Sequence, residues 1–225
     1  SQAPVAQRRN SAEDAPAEAG AQSKSAHLRD AALVHQLLQF AQMGALVAEA
    51  LDGHARPRVG LLNIGEEEIK GNELIKQTHE LLRQSGLNYI GYVEGDGIFR
   101  GEAEVIVCDG FVGNIALKSS EGVAKMMAGM IRKQIGRSLL NRVLGALALP
   151  IWRGLRHEMD PGRYNGASLV GLGGIVVKSH GSADAASFAQ ALRVAVLEVE
   201  KDIPGLIARE LSHPMVEVSP VASET

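Results

Sequence analysis

The sequence predicts an α/β fold: a mainly parallel open sheet with flanking helices, plus a protruding basic amphipathic helical pair over about 122–158. Three observations predict it. Short apolar runs of strand length alternate with longer segments whose apolar residues recur at helical spacing, the pattern of βα units. Three strand ends pass through a glycine-containing polar loop into a helix: the loop at Lys70, the loop Asp109–Asn114 and the loop Lys178–Ser182. In a parallel sheet such loops share one edge, where ligands bind. Finally, no acidic residue lies between Glu121 and Glu158, whereas seven basic ones do (Lys125, Arg132, Lys133, Arg137, Arg142, Arg153 and Arg156), with apolar residues in the gaps.

Taken in order, residues 1–30 hold only Val5 and Leu28 as large apolar side chains. They bury too little surface to offset their ordering entropy, so disorder is expected. Leu33, Val34, Leu37, Leu38, Phe40, Leu46, Val47 and Leu51 then define a helix that stops at Gly53 and opens a domain over 31–211. Val59–Ile64 is a buried strand interrupted by Gly60 and Asn63. A helix opens at Asn72, carries Leu74, Ile75, Thr78, Leu81 and Leu82, and ends near Gly86. Leu87–Val93 and Glu104–Cys108 are strands, and the pattern is helical from Ile115 onward. Met127, Met130, Ile131 and Ile135 share one helical face, whereas Leu139, Leu140, Val143, Leu144 and Leu147 share another about half a circle away. One straight helix cannot hold both, so two helices with a break near Gly136–Ser138 are expected. Gly174–Lys178 is a further strand, Ser182 an N-cap for a helix over Ala183–Leu197, and 212–225 a flexible tail.

The bulk numbers exclude several classes. A net charge of −3 and 4% aromatic residues argue against a nucleic-acid binder. Cys108 is the only cysteine, so no disulfide framework exists and a reducing compartment is expected. The seven histidines are scattered without ligand spacing, and no metal or organic cofactor is expected. No signal-peptide h-region is seen, and no G-x-G-x-x-G follows a strand.

At the first junction, a cation and a glycine sit between a strand end and a helix start. Helix N-termini favour anions, and Gly71 would let one approach the backbone. The plainer reading of Lys70 is a solvated loop lysine beside Glu66, Glu67 and Glu68. Asn72 is read as a cap first and a ligand second. Asp109 is read as structural, since a carboxylate would repel a bound anion. Gly110 and Gly113 are backbone-approach glycines or simple turn residues. Lys178 is a second anion-binding cation or a solvated head on an apolar stem, and His180 a hydrogen-bonding group for substrate. Cys108 reads as core.

The strings LLQFAQMG, PRVGLLNIGEEEIKGNEL, VIVCDGFVGNIALKSSEG and GIVVKSHGSADAASFAQALR resemble the phosphate acyltransferase family of bacterial phospholipid synthesis. The resemblance runs from about Leu37 to about Leu211. It implies transfer of a fatty acyl group from acyl carrier protein to inorganic phosphate, giving acyl phosphate. It implies Lys70 and Asn114 as the catalytic residues, with Asn114 alternatively read as a cap of the helix from Ile115. Substrate-binding roles are expected of Gly71, Asn72, Gly110, Gly113, Lys178 and His180. Two departures stand out. Family members carry a first half, roughly as long again, with no counterpart here. Where the family usually reads GNVEGRDIF, this chain reads GYVEGDGIF, with Tyr92 in place of an Asn and Asp96-Gly97 in place of Arg-Asp.

The basic segment suits an anionic membrane surface or an acidic partner, and the resemblance implies both: peripheral membrane association and the acidic acyl carrier protein. Arg132, Lys133, Arg137, Leu140, Arg142 and Leu144 are the expected contacts. A helical hairpin in the core or at a dimer interface is the plainer alternative. The expected protein is a cytoplasmic, peripherally membrane-associated homodimer. The competing reading is a truncated, catalytically inactive relative acting as a membrane- or partner-binding module. A phosphotransacetylase or dehydrogenase relative is a third.

Overall fold

The computed structural model describes residues 15–67, 69–158 and 165–212. Its spine is α1 (Ala15–Asp52). The helix expected after residue 30 therefore starts earlier, and residues 15–30, expected to be disordered, are helical. Ala, Glu, Gln, Lys and Arg dominate that stretch. Such residues propagate a helix already nucleated by a packed segment, without needing a core of their own. Residues 1–14 and most of the expected tail, 213–225, lie outside the described residues. The stretch Ala31–Asp52 is long and apolar enough to cross a membrane by composition. Here it serves as a core helix, with Val34, Leu37, Leu38, Ala41 and Ala45 buried.

The chain then forms β1 (Val59–Leu62), α2 (Glu73–Gln84), β2 (Tyr89–Val93), the single turn α3 (Gly97–Arg100) and β3 (Val105–Val107). The three strands make a parallel sheet in the order β2-β1-β3. All four residues of β1 are buried, as expected for the central strand of a parallel sheet. Leu37, Leu38, Ala41 and Ala45 of α1 meet Val59 and Leu61 of β1, Leu82 of α2 and Val107 of β3 in one cluster. Close approach is built in: a Cβ on Gly44 of α1 would lie 2.8 Å from a Val105 methyl, and one on Gly60 2.4 Å from Val93.

The end of the described chain forms a second layer on α1. A two-residue hairpin, β4 (Ala167–Ser168) antiparallel to β5 (Val177–Lys178), is followed by α7 (Ala185–Glu200) and α8 (Ile203–Leu211). Ile203 and Ile207 pack on Met43, with Leu46, Val47 and Leu51 around them. The strand expected over Gly174–Lys178 is thus shorter and belongs to a separate antiparallel sheet. Glycines are poor strand formers, and the Leu169 N–H donates to the Val176 carbonyl to close the hairpin locally. The cap of α7 is Asp184, which accepts from the Ser187 N–H at 2.8 Å, rather than Ser182.

In chain order between these layers come α4 (Gly110–Gly136), α5 (Leu139–Leu147) and α6 (Leu149–Glu158). The break falls where the rotation of the apolar face required it, and Ser138 caps α5 by accepting from the Asn141 N–H. A second break at Ala148 makes three helices where two were expected. Pro150 explains it: proline has no N–H to continue α5 but is tolerated in the first turn of α6. α4 packs chiefly against α5, and α5 against α6. Apolar side chains along all three are exposed.

Candidate active site

Three loops leave the same edge of the parallel sheet, because β1, β2 and β3 run in one direction. The loop after β1 carries Lys70, the loop after β2 carries Glu94–Asp96, and β3 leads directly into α4. Since β1 and β3 are hydrogen-bonded neighbours, the Lys70 loop and the start of α4, which carries Asn114, follow adjacent strands.

Lys70 follows a turn closed by its own N–H to the Glu67 carbonyl, at 2.9 Å. Its side chain is 44% exposed, and Nζ lies 3.4 Å from Glu67 Oε2. Hydrogen bonding to its own backbone N–H, then Lys70, holds the Glu67 carboxyl below the usual carboxylate range. The solvated ion pair contributes little to stability, so the ammonium is available to a stronger anion. Asn63, at the end of β1, is buried, and its amide donates to the carbonyls of Gly65 (3.0 Å) and Lys70 (3.2 Å). Gly71 has φ +94°, and a Cβ there would lie 2.6 Å from Asn63 Oδ1. The close approach that Gly71 permits is therefore taken by Asn63 from within the chain. Asn72 caps α2, accepting from the Ile75 N–H at 3.0 Å.

Asp109 is the N-cap of α4, its Oδ1 accepting from the N–H groups of Phe111 (2.9 Å) and Val112 (3.0 Å). This is the structural role expected of it. The helix consequently begins at Gly110, five residues before Ile115, and Asn114 sits within the first turns rather than at a cap. Its amide is exposed at that helical position. A Cβ on Gly110 would meet open space, whereas one on Gly113 would lie 3.0 Å from Cys108 Sγ, so Gly113 serves packing. Burial, then Asp109, pushes the Cys108 thiol up, against a nucleophilic role.

Lys178 and His180 follow β5, which lies outside the parallel sheet. The single sheet edge expected for all three junctions thus holds for two of them. Buried Asn165 accepts from the His180 N–H (2.8 Å) and donates to Ser179 Oγ and the Ser187 carbonyl. His180 Nδ1 lies 2.8 Å from Ser182 Oγ and 3.3 Å from the Ser182 N–H, so the ring is turned onto its own loop. Lys178 is exposed.

The residues missed in the sequence are the buried asparagines and an aromatic cluster. His79 Nδ1 bonds the Tyr89 hydroxyl at 2.7 Å, and its ring stacks on Tyr92 at 4.5 Å. Asn63 did leave a signal, as the one polar residue near the end of an otherwise apolar strand. Among the described residues no group of three metal-ligating side chains converges.

The family model described as fatty acid synthesis protein matches residues 30–205. The chain belongs to that family. Proteins named phosphate acyltransferase are 61% identical over 175 residues in Alkalilimnicola ehrlichii and 59% identical over 179 in Alcanivorax borkumensis. The matches cover 78% and 79% of this chain, and 51% and 53% of those relatives. The chain therefore spans about half the length of the curated relatives it matches. A relative in Pseudomonas fluorescens, also named phosphate acyltransferase, is 59% identical over 169 residues.

Proposed function

We propose that this chain carries the phosphate-binding and reacting groups of an acyltransferase that moves a fatty acyl group from acyl carrier protein to inorganic phosphate. The observation that supports the reading is the parallel pairing of β1 with β3, since a solvated lysine follows the one strand and an exposed asparagine the other, in a family of fatty acid synthesis proteins. In the reaction a phosphate oxygen attacks the thioester carbonyl carbon. A new C–O bond forms, the C–S bond breaks, and the carrier thiolate leaves and takes a proton from solvent. Phosphate is itself the nucleophile, so the protein needs to position it and to stabilise charge. Lys70 neutralises and orients phosphate in exchange for Glu67. Asn114 donates from its amide to the phosphate or to the carbonyl oxygen as negative charge develops there. Asp109 holds the Phe111 and Val112 N–H groups and so fixes the start of α4, which carries the Asn114 side chain. Gly110 and Asn72 remain candidate contacts at this edge, whereas Lys178 and His180 follow the separate hairpin.

On this reading the chain works in the cytoplasm at the membrane surface, as a homodimer. α5 supports the surface role. Gly145 lies against Ile135 of α4, so α5 packs through its small and polar side. Leu139, Leu140, Val143, Leu144 and Leu147 face outward, with Arg142 among them and Arg132, Lys133 and Arg137 nearby on the arm. An apolar stripe with a basic flank fits an anionic bilayer, and the basic flank also fits an acidic carrier protein. The test is acyl phosphate formation by purified chain from long-chain acyl carrier protein and phosphate. Turnover that Lys70→Ala abolishes supports the proposal; turnover untouched by that change defeats it. No turnover with vesicle binding intact leaves a binding module.

A further inference from the structure

The loop Gly65–Gly71 contains two glycines and a run of acidic residues, and little in its own sequence fixes its path. We propose that Asn63 is the positioning residue of the site: its buried amide clamps this loop so that Lys70 stands at the sheet edge opposite the start of α4. The proposal rests on the role given to Lys70 above.

Four observations bear on it. Asn63 is only 8% exposed, although an amide is costly to bury without partners. Its Nδ2 donates to the Gly65 carbonyl at 3.0 Å and the Lys70 carbonyl at 3.2 Å, the two ends of the lysine loop. Its backbone N–H donates to the Val93 carbonyl at 3.0 Å, which ties the clamp to the last residue of β2. And Gly71, at φ +94°, leaves the room into which Asn63 Oδ1 projects. One residue thus ties both ends of the lysine loop, through its side chain, to the end of β1, and β1 to β2 through its backbone. Lys70 has an exposed head, and among the described residues its ion-pair partner is the solvated Glu67.

Asn63→Asp keeps size and shape while removing both donors and placing a carboxylate among carbonyl oxygens. The expected result is a KM for phosphate raised about tenfold or more, the effect of losing a buried donor pair. The KM for acyl carrier protein should stay within about twofold. Leu82→Val, a core change of comparable destabilisation, should leave the phosphate KM unaltered, which separates positioning from general loss of stability. A wild-type phosphate KM in Asn63→Asp overturns the proposal. If the wild-type chain shows neither turnover nor phosphate binding, the acyl-transfer reading fails, and hydrogen exchange then decides the clamp alone. Faster exchange of the amides from Gly65 to Gly71 in Asn63→Asp, with β3 amides unchanged, supports it; wild-type exchange rates across that loop overturn it.

Discussion

α1 and the arm α4–α6 are built from similar material and treat it in opposite ways. Both are helical and rich in Leu, Val, Met and Ala. In α1, Leu37 is 2% exposed, and one stripe faces the sheet while another faces α8. In α5, Leu139 is 79% exposed, and all five large apolar residues of the stripe are mostly in solvent. Helicity and apolar content therefore do not decide burial. What decides it is whether a complementary face exists within the chain. Apolar area left in water by the arm contributes nothing to folding, and it remains available for a surface outside the protein.

The largest effect should mark the body. Leu61 on β1 is fully buried at the centre of the main cluster. Leu61→Ala is expected to cost about 2–5 kcal/mol, read from the urea midpoint. Leu147→Ala on the arm should stay within about 0.5 kcal/mol. Comparable losses at both sites would mean that the arm is packed in solution, for instance in a dimer. Next comes the converse experiment. Replacing Leu140 and Leu144 with Glu should leave the urea midpoint nearly unchanged and abolish flotation with anionic vesicles. Two buried leucines are worth about 3 kcal/mol or more together, over a hundredfold in binding. Unchanged flotation would reject the membrane reading of the arm.

The same contrast explains what was legible beforehand. Features set by neighbouring residues could be read: Asn72 as a cap, Asp109 as a structural carboxylate, and the break before Ser138 demanded by rotation of the apolar face. The three strands of the parallel sheet were legible because each is a clear apolar run. Features set at a distance could not be read. β4 and β5 are two residues each, too short to leave a pattern, so the sheet that carries Lys178 was misassigned. The start of α4 was placed late because Gly110 and Gly113 are weak helix formers, and the double cap by Asp109 overrides them. Residues 15–30 were judged by burial alone, whereas their helix needs only propensity and a packed continuation. The clamp by Asn63 depends on the path of a loop, which no periodicity records.

The smallest expected effect separates the two regions by pH. Arg58 and Glu104 precede the neighbouring strands β1 and β3 and are joined side chain to side chain at 2.6 Å. Glu104 also accepts from the Arg58 N–H at 2.6 Å, and Arg58 Nη2 donates to the Gly101 carbonyl at 3.1 Å. The Arg58 side-chain hydrogen bonds, then the Arg58 backbone N–H, hold the Glu104 carboxyl down to about 2. A depressed carboxylate stabilises the fold above its unfolded value, and that contribution disappears as pH falls through the folded value. The urea midpoint should therefore decline from the ordinary glutamate range down toward pH 2. Glu104→Gln should flatten part of the decline, leaving a residual slope from Glu67 and Asp184, which are also held low. On the arm, Glu121 meets Lys125 at 3.5 Å with both side chains solvated. Glu121→Gln should shift nothing measurable at any pH, because such pairs are screened. An equal change from both substitutions would show that the ends of β1 and β3 are held by something other than this pair, and that the sheet edge opposite Lys70 does not depend on it.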